Sequence, residues 1–296
     1  MPVLILAGAT ASGKTDLAVS LAQRFDAEIV GADSRQIYRG MPIGTAAPSE
    51  GQARAVPHHL IGFLDPYERY SAARYARDAV RTIEAIRARG RRAIVVGGTG
   101  FYLRALAGDV DLAPQYDEAL RERLAREARL HPPDVLWSWL RARDPRRAAT
   151  LEPADSYRVI RALEVALAAP STRGDGAAGV TLRSARIPFV KVALDVPLAT
   201  IDARIDARTD VMLAQGLLDE AERIGAAAVA ANAVGYPQAL AFLNGWSTRE
   251  ELRTALVRAT RRYARRQRSW LRSEPGVSWL APDSVESAAR EKLGWT

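Results

Sequence analysis

The chain opens on Val3-Leu4-Ile5-Leu6-Ala7, an unbroken apolar run that stops at Gly8. A strand buried on both faces needs such a run, and the next apolar positions, Leu17, Ala18, Leu21 and Phe25, fall on one face of a helix over 15–25. The alternation then repeats. Residues 28–32 read as a second strand, 70–89 as a helix ended by Gly90, and 93–96 as a strand stopped by Gly97-Gly98. Continuous apolar strands separated by helices predict an α/β fold with a parallel sheet covered by helices.

From about residue 110 the pattern becomes helix after helix, broken at Pro132-Pro133, Pro145 and Pro153. A Gly- and Arg-containing link over 171–186 follows and is expected to be mobile. Buried-strand patterning returns at Phe189 to Leu194, and helices are expected from there to the end. The order predicts an all-helical insertion at 110–184 inside a core made of 1–109 and 185–296, with no internal repeat.

Composition narrows the chemistry. The 296 residues contain no Cys, which excludes disulfides, thiolate nucleophiles and Cys-ligated metals. The first apolar run has no basic stretch before it and leads straight into Gly and Lys, so it reads as a strand and not a leader. No apolar run reaches the ~20 residues of a membrane span, and a cytoplasmic monomer is expected. The formal net charge is +8, from 42 basic and 34 acidic residues. Arg253, Arg258, Arg261, Arg262, Arg265, Arg266, Arg268 and Arg272 lie in a segment without Asp or Glu, and removing them leaves the rest of the chain neutral. Leu252, Leu256, Ala259, Tyr263 and Trp270 recur at helical spacing there, while Arg261, Arg265, Arg268 and Arg272 share another face. An arginine ridge docked on a core points to a polyanion.

Gly8-Ala9-Thr10-Ala11-Ser12-Gly13-Lys14-Thr15 is a phosphate-loop pattern set between strand and helix. Its glycines let backbone amides converge on phosphate, Lys14 neutralises terminal oxygens, and the Thr15 hydroxyl can hold Mg²⁺. A ligand with two or more phosphates is expected. Asp33 and Asp195 each follow an apolar strand and are the two candidates for a carboxylate acting beside those phosphates. His58-His59 lacks a third ligand and at least one of the two reads as structural, and Trp137 and Trp139 read as packing residues.

Taken in order, the phosphate loop, the segment Asp33-Ser34-Arg35-Gln36-Ile37-Tyr38-Arg39-Gly40-Met41-Pro42-Ile43-Gly44-Thr45-Ala46, Pro57-His58-His59-Leu60, Val96-Gly97-Gly98-Thr99-Gly100-Phe101-Tyr102, Arg161-Ala162-Leu163-Glu164-Val165, Val234-Gly235-Tyr236 and Thr260-Arg261-Arg262-Tyr263-Ala264-Arg265-Arg266-Gln267 resemble the tRNA dimethylallyltransferase family. The resemblance spans nearly the whole chain. It implies a P-loop NTPase-like fold, and transfer of a dimethylallyl group from its diphosphate to N6 of the adenosine 3′ to the anticodon. The loop would then hold a prenyl diphosphate in place of ATP. The resemblance also makes Asp33 the catalytic carboxylate, adds Arg204 or Arg208 at the diphosphate with Arg208 favoured, and assigns tRNA contacts to Asp33, Ser34, Arg35, Gln36, Thr99, Arg121 and the segment Tyr157, Arg158, Val159, Ile160, Arg161. Arg261 and Arg265 would join them from the ridge, clamping the anticodon stem-loop. The chain departs from the family at Ala9, Ala154, Tyr157 and Pro237 and in the link after Pro170. Two other readings share the loop: prenylation of free adenine nucleotide, which needs neither insertion nor ridge, and a small-molecule kinase.

Overall fold

The computed structural model describes residues 1–110, 118–167 and 180–296. They form two compact units, Met1–Val110 with Val180–Thr296, and Asp111–Gly179. The first unit runs β1 (Val3–Ala7), α1 (Lys14–Arg24), β2 (Ala27–Gly31), α2 (Glu50–Ala55), β3 (His58–His59), α3 (Ala72–Ala88), β4 (Arg92–Gly97) and α4 (Gly100–Ala107). The second holds α5 (Glu118–Leu130), α6 (Pro133–Arg143), α7 (Pro145–Ala148) and α8 (Ser156–Leu167). The chain returns to the first unit with β5 (Phe189–Leu194), α9 (Leu198–Ala214), α10 (Leu217–Ile224), α11 (Tyr236–Leu243), α12 (Arg249–Arg272), β6 (Val277–Leu280) and α13 (Val285–Leu293).

All strand pairings are parallel, in the order β3-β2-β4-β1-β5-β6. Leu4 of β1 sits between Ile94 and Val190 in register, and every residue of β1 is buried. Alternation sorts the strand residues by face. Leu4, Leu6, Ile94, Val96, Val192 and Leu194 pack with Leu21 and Phe25 near α1, Ile201 and Ile205 of α9, and Trp295. The helical unit has its own core of Leu124, Leu136, Leu140, Val159 and Leu163, which the Trp137 indole joins by donating to the Ala148 and Leu151 carbonyls at 3.1 Å. Trp139 is 37% exposed and meets His131 edge-on, so only Trp137 is a packing residue.

Three expectations need correction. Helices do not carry the chain to its end, because Val277–Leu280 extends the sheet as β6. His58–His59 adds a two-residue edge strand. Residues 180–184 belong to the core unit: the Leu182 amide donates to the Leu106 carbonyl at 2.8 Å, Leu182 is fully buried, and Arg183 pairs with Asp109. Most of the link expected to be mobile lies outside the described residues. Among the described residues no helix is long and apolar enough to cross a membrane.

Candidate active site

The loop between β1 and α1 turns back on itself at Ala11, with φ of 63°, and enters the helix through Gly13, with φ of 86°. A side chain at Gly13 would be strained in that left-handed conformation, which explains a glycine there. Ser12 donates its amide to the Ala9 carbonyl at 3.2 Å, and the Lys14 ammonium folds back to the same carbonyl at 3.3 Å. The Ser12 hydroxyl is 98% buried and has no hydrogen-bond partner among the described residues. Desolvation pulls the Lys14 ammonium down to about 8; nearby Asp33 opposes that shift and Arg208 reinforces it.

Both arginines predicted from α9 reach this region. Arg204 donates to the Ala11 carbonyl at 3.4 Å, whereas Arg208 lines the adjoining cavity. Burial pulls the Arg208 guanidinium below its usual range, opposed by Asp16 and reinforced by Arg204. That cavity encloses about 450 Å³. Its lining includes the polar residues Thr10, Asp33, Thr99 and Arg208 and the apolar residues Met212, Leu217, Val234 and Leu256.

Asp33 lies just beyond the carboxyl end of β2, where parallel sheets place ligands. One of its oxygens accepts the Arg35 amide at 2.9 Å, and among the described residues it enters no ion pair. Asp195, the other strand-end carboxylate, is committed to Arg268 at 2.9 Å. The Thr99 hydroxyl accepts the Ser34 amide at 2.9 Å and donates to the Ser34 hydroxyl at 3.3 Å. Ser34 and Arg35 line the cavity. Gln36 does not line it; its amide holds the Thr45 and Ala46 carbonyls at 3.1 and 2.9 Å, and those two residues form the rim.

The remaining predicted contacts divide. Arg121 and Arg161 both pair with Glu164, at 3.4 and 2.6 Å, while Arg158 pairs with Asp155 at 3.4 Å. Tyr157 is 70% exposed and Ile160 partly buried. Val159 is wholly buried in the helical core and cannot touch RNA, a correction forced by its place on the inner face of α8. The arginine ridge is also less free than its sequence implies. Arg253, Arg261, Arg265 and Arg268 meet Asp210, Asp206, Asp202 and Asp195. Arg258, Arg262 and Arg272 are exposed and enter no ion pair among the described residues.

His59 binds Glu28 at 2.6 Å, and His58 donates to the Val56 carbonyl at 2.8 Å. Among the described residues no cluster of three potential metal-ligating side chains exists. Three groups at the site were not among the residues assigned to it from the sequence. Glu220, 1% exposed, accepts the Ile43 and Gly44 amides at 2.9 and 2.7 Å and the Tyr236 hydroxyl at 2.7 Å, fixing the rim from beneath. Tyr263 lines the cavity near Asp33, and burial pushes its hydroxyl pKa up while Arg35, Arg266 and a hydrogen bond with Thr99 oppose the shift. Gln267 accepts the Thr10 amide at 2.8 Å. The run from Thr260 to Gln267 contains two of the three, and its neutral residues among arginines were the available signal.

The family model described as IPP transferase matches residues 36–274, and the one described as isopentenyl transferase matches 1–58. The chain belongs to the IPP transferase family. Membership makes it a prenyl-transferring enzyme with a P-loop NTPase-like fold. A tRNA dimethylallyltransferase of Anaeromyxobacter sp. (strain K) is 47% identical over 99% of this chain and 97% of its own length. One of Myxococcus xanthus is 43% identical over 94% and 92%. The solved full-length tRNA isopentenylpyrophosphate transferase of Bacillus halodurans is 33% identical, with a TM-score of 0.70 over 99% of this chain and 95% of that one. A eukaryotic dimethylallyltransferase acting on tRNA superposes with a TM-score of 0.76 at 25% identity, covering 99% of this chain and 76% of the other.

Proposed function

We propose that the cleft transfers a dimethylallyl group from dimethylallyl diphosphate to N6 of the adenosine 3′ to the anticodon of tRNA, releasing diphosphate. One observation carries the reading: Thr10 of the phosphate loop and Asp33, a carboxylate without an ion pair among the described residues, border the same cavity, whose lining also includes Met212, Leu217, Val234 and Leu256. The curated relatives named above are tRNA dimethylallyltransferases, which favours this reading over a kinase.

The diphosphate lies against the loop amides, Lys14 and Arg208, with the unpartnered Ser12 hydroxyl a further donor. These groups take up the charge that builds on the leaving oxygens as the allylic C–O bond breaks. The five-carbon chain lies along Met212 and Leu256. The adenine leaves its stack to enter the cavity. Its N6 lone pair is delocalised into the ring, so it attacks well only as Asp33 accepts the N6 proton, and the new N–C bond forms as diphosphate departs. Thr99 and Ser34 hold that carboxylate segment.

Thr15, the second residue of α1 directly after the phosphate loop, is the residue that would hold Mg²⁺ through its hydroxyl, with diphosphate oxygens and water completing the shell. When bound, Mg²⁺ supplies further stabilisation of the leaving diphosphate. Tyr157 and Arg158 of the helical unit, and Arg258, Arg262 and Arg272 of α12, are exposed groups for the stem-loop. A tRNA acceptor carries with it the expectation of a cytoplasmic enzyme.

The test is one incubation of the protein and Mg²⁺ with labelled dimethylallyl diphosphate, unmodified tRNA and AMP in competition. Label on tRNA adenosine N6 is expected. Label on AMP reassigns the acceptor, and label on neither sinks the reading.

A further inference from the structure

Gln267 is the one amide in an arginine-rich stretch of α12, and it is 94% buried. Its two ends do opposite work. The carbonyl oxygen accepts the Thr10 amide of the phosphate loop at 2.8 Å, and the amide nitrogen donates to the Gly98 carbonyl at 3.0 Å. The fit leaves no slack, since a Cβ at Gly98 would fall 2.2 Å from that nitrogen. Residue 98 leads directly into Thr99, whose amide donates to the Ala32 carbonyl at 3.3 Å and whose hydroxyl binds Ser34. Asp33 is thus gripped on both flanks by one residue, and the residue before that one is tied through Gln267 to the phosphate loop.

We propose that Gln267 is a positioning residue that sets the register between the diphosphate-holding loop and the Asp33 segment, and so the geometry of transfer. The proposal rests on the function proposed above. It follows from polarity. Three loops that come from different strands meet here, and only a group that accepts at one end and donates at the other can bridge Thr10 to Gly98. A carboxylate cannot donate, and it would add negative charge beside a diphosphate. A hydrocarbon of the same length fills the space but ties neither loop. Displacing reacting atoms by ~1 Å costs about 10²-fold in rate.

The experiment compares Gln267→Met and Gln267→Glu with the parent chain. It measures kcat, KM for dimethylallyl diphosphate, KM for tRNA, inorganic pyrophosphate affinity and thermal midpoint. Gln267→Met is expected to stay folded, to keep both KM values and pyrophosphate affinity within about three-fold, and to lose at least about ten-fold in kcat. For Gln267→Glu, activity relative to the parent should rise as pH falls, because a protonated carboxyl regains the donor to Gly98. A folded Met variant with unchanged kcat, a loss confined to KM, or a Glu-to-parent ratio flat with pH each overturns the proposal. A parent chain that transfers nothing to tRNA instead overturns the function on which it rests.

Discussion

Lys14 carries a conflict between folding and binding. Its ammonium is pulled to about 8 by desolvation, from the ordinary 10.5, although Asp33 attracts it. Between those two values the folded chain binds fewer protons than the unfolded one, so this residue makes stability rise with pH through that window. Below about 8 the full penalty of holding a charge in a partly dry loop is present. Lys14→Met should therefore raise the thermal midpoint at pH 7 while abolishing pyrophosphate binding, and a lower midpoint would show that the ammonium is already satisfied. A bound diphosphate favours the charged form, so binding at pH 8 should draw a proton from solution. Calorimetry in two buffers of different ionisation heat reads that uptake directly. Asp33 makes the opposite demand, because it needs to be an unpaired carboxylate near the cavity and not a structural anchor. Asp33→Asn should lower single-turnover transfer by ~10²–10⁴-fold and leave tRNA affinity within a few-fold. Loss of tRNA binding in parallel would reassign the carboxylate to folding.

Charge acts differently in each element. On β5, Lys191 is 96% buried and binds Asp109 and, at 2.5 Å, Glu274, joining the residues that follow α4 and α12 to the sheet. Lys191→Ala removes the cation shared by two buried carboxylates, which keep only Arg183 on Asp109 and Arg104 on Glu274, and should cost about 3 kcal/mol in denaturant unfolding. Arg265→Ala, which breaks an exposed pair with Asp202, should cost no more than about 1 kcal/mol. Equal costs would mean that burial does not decide the matter. The same contrast explains what could be read from sequence. β1, β2, β4 and β5 were legible because each is dominated by apolar residues, with Glu28 and Lys191 as single charged residues inside β2 and β5. β6 was not, since Val277-Ser278-Trp279-Leu280 is a half-exposed edge strand with no run to detect. The phosphate loop stood out as a local motif, Asp33 was one of two strand-end carboxylates, and Arg208 came only through the family resemblance. The acids of α9 that meet the ridge were hidden, because Arg261 and Asp206 are 55 positions apart and no local pattern pairs them. Gln267 was hidden for a related reason: its meaning lies in two loops that the fold brings to it.

At the scale of the whole molecule, the +8 balance is not a free field. Four ridge arginines are answered by Asp195, Asp202, Asp206 and Asp210, and the ridge arginines that stay open are the exposed Arg258, Arg262 and Arg272 beside the cavity residue Arg266. An RNA docking here displaces counterions in proportion to the phosphates these open groups meet, so affinity falls linearly on a log–log plot against salt. Each phosphate contact contributes a slope of about 0.7–0.9. Arg262→Ala should reduce the measured slope for anticodon stem-loop binding by that amount while leaving AMP and pyrophosphate binding unchanged. Asp202→Asn with Asp206→Asn should do the reverse, because Arg261 and Arg265 lose their partners and become available, steepening the slope by about one to two units. If the paired arginines already reach RNA, the double substitution changes nothing. If neither variant moves the slope, α12 does not face the nucleic acid, and the recognition of tRNA must lie wholly on the helical unit.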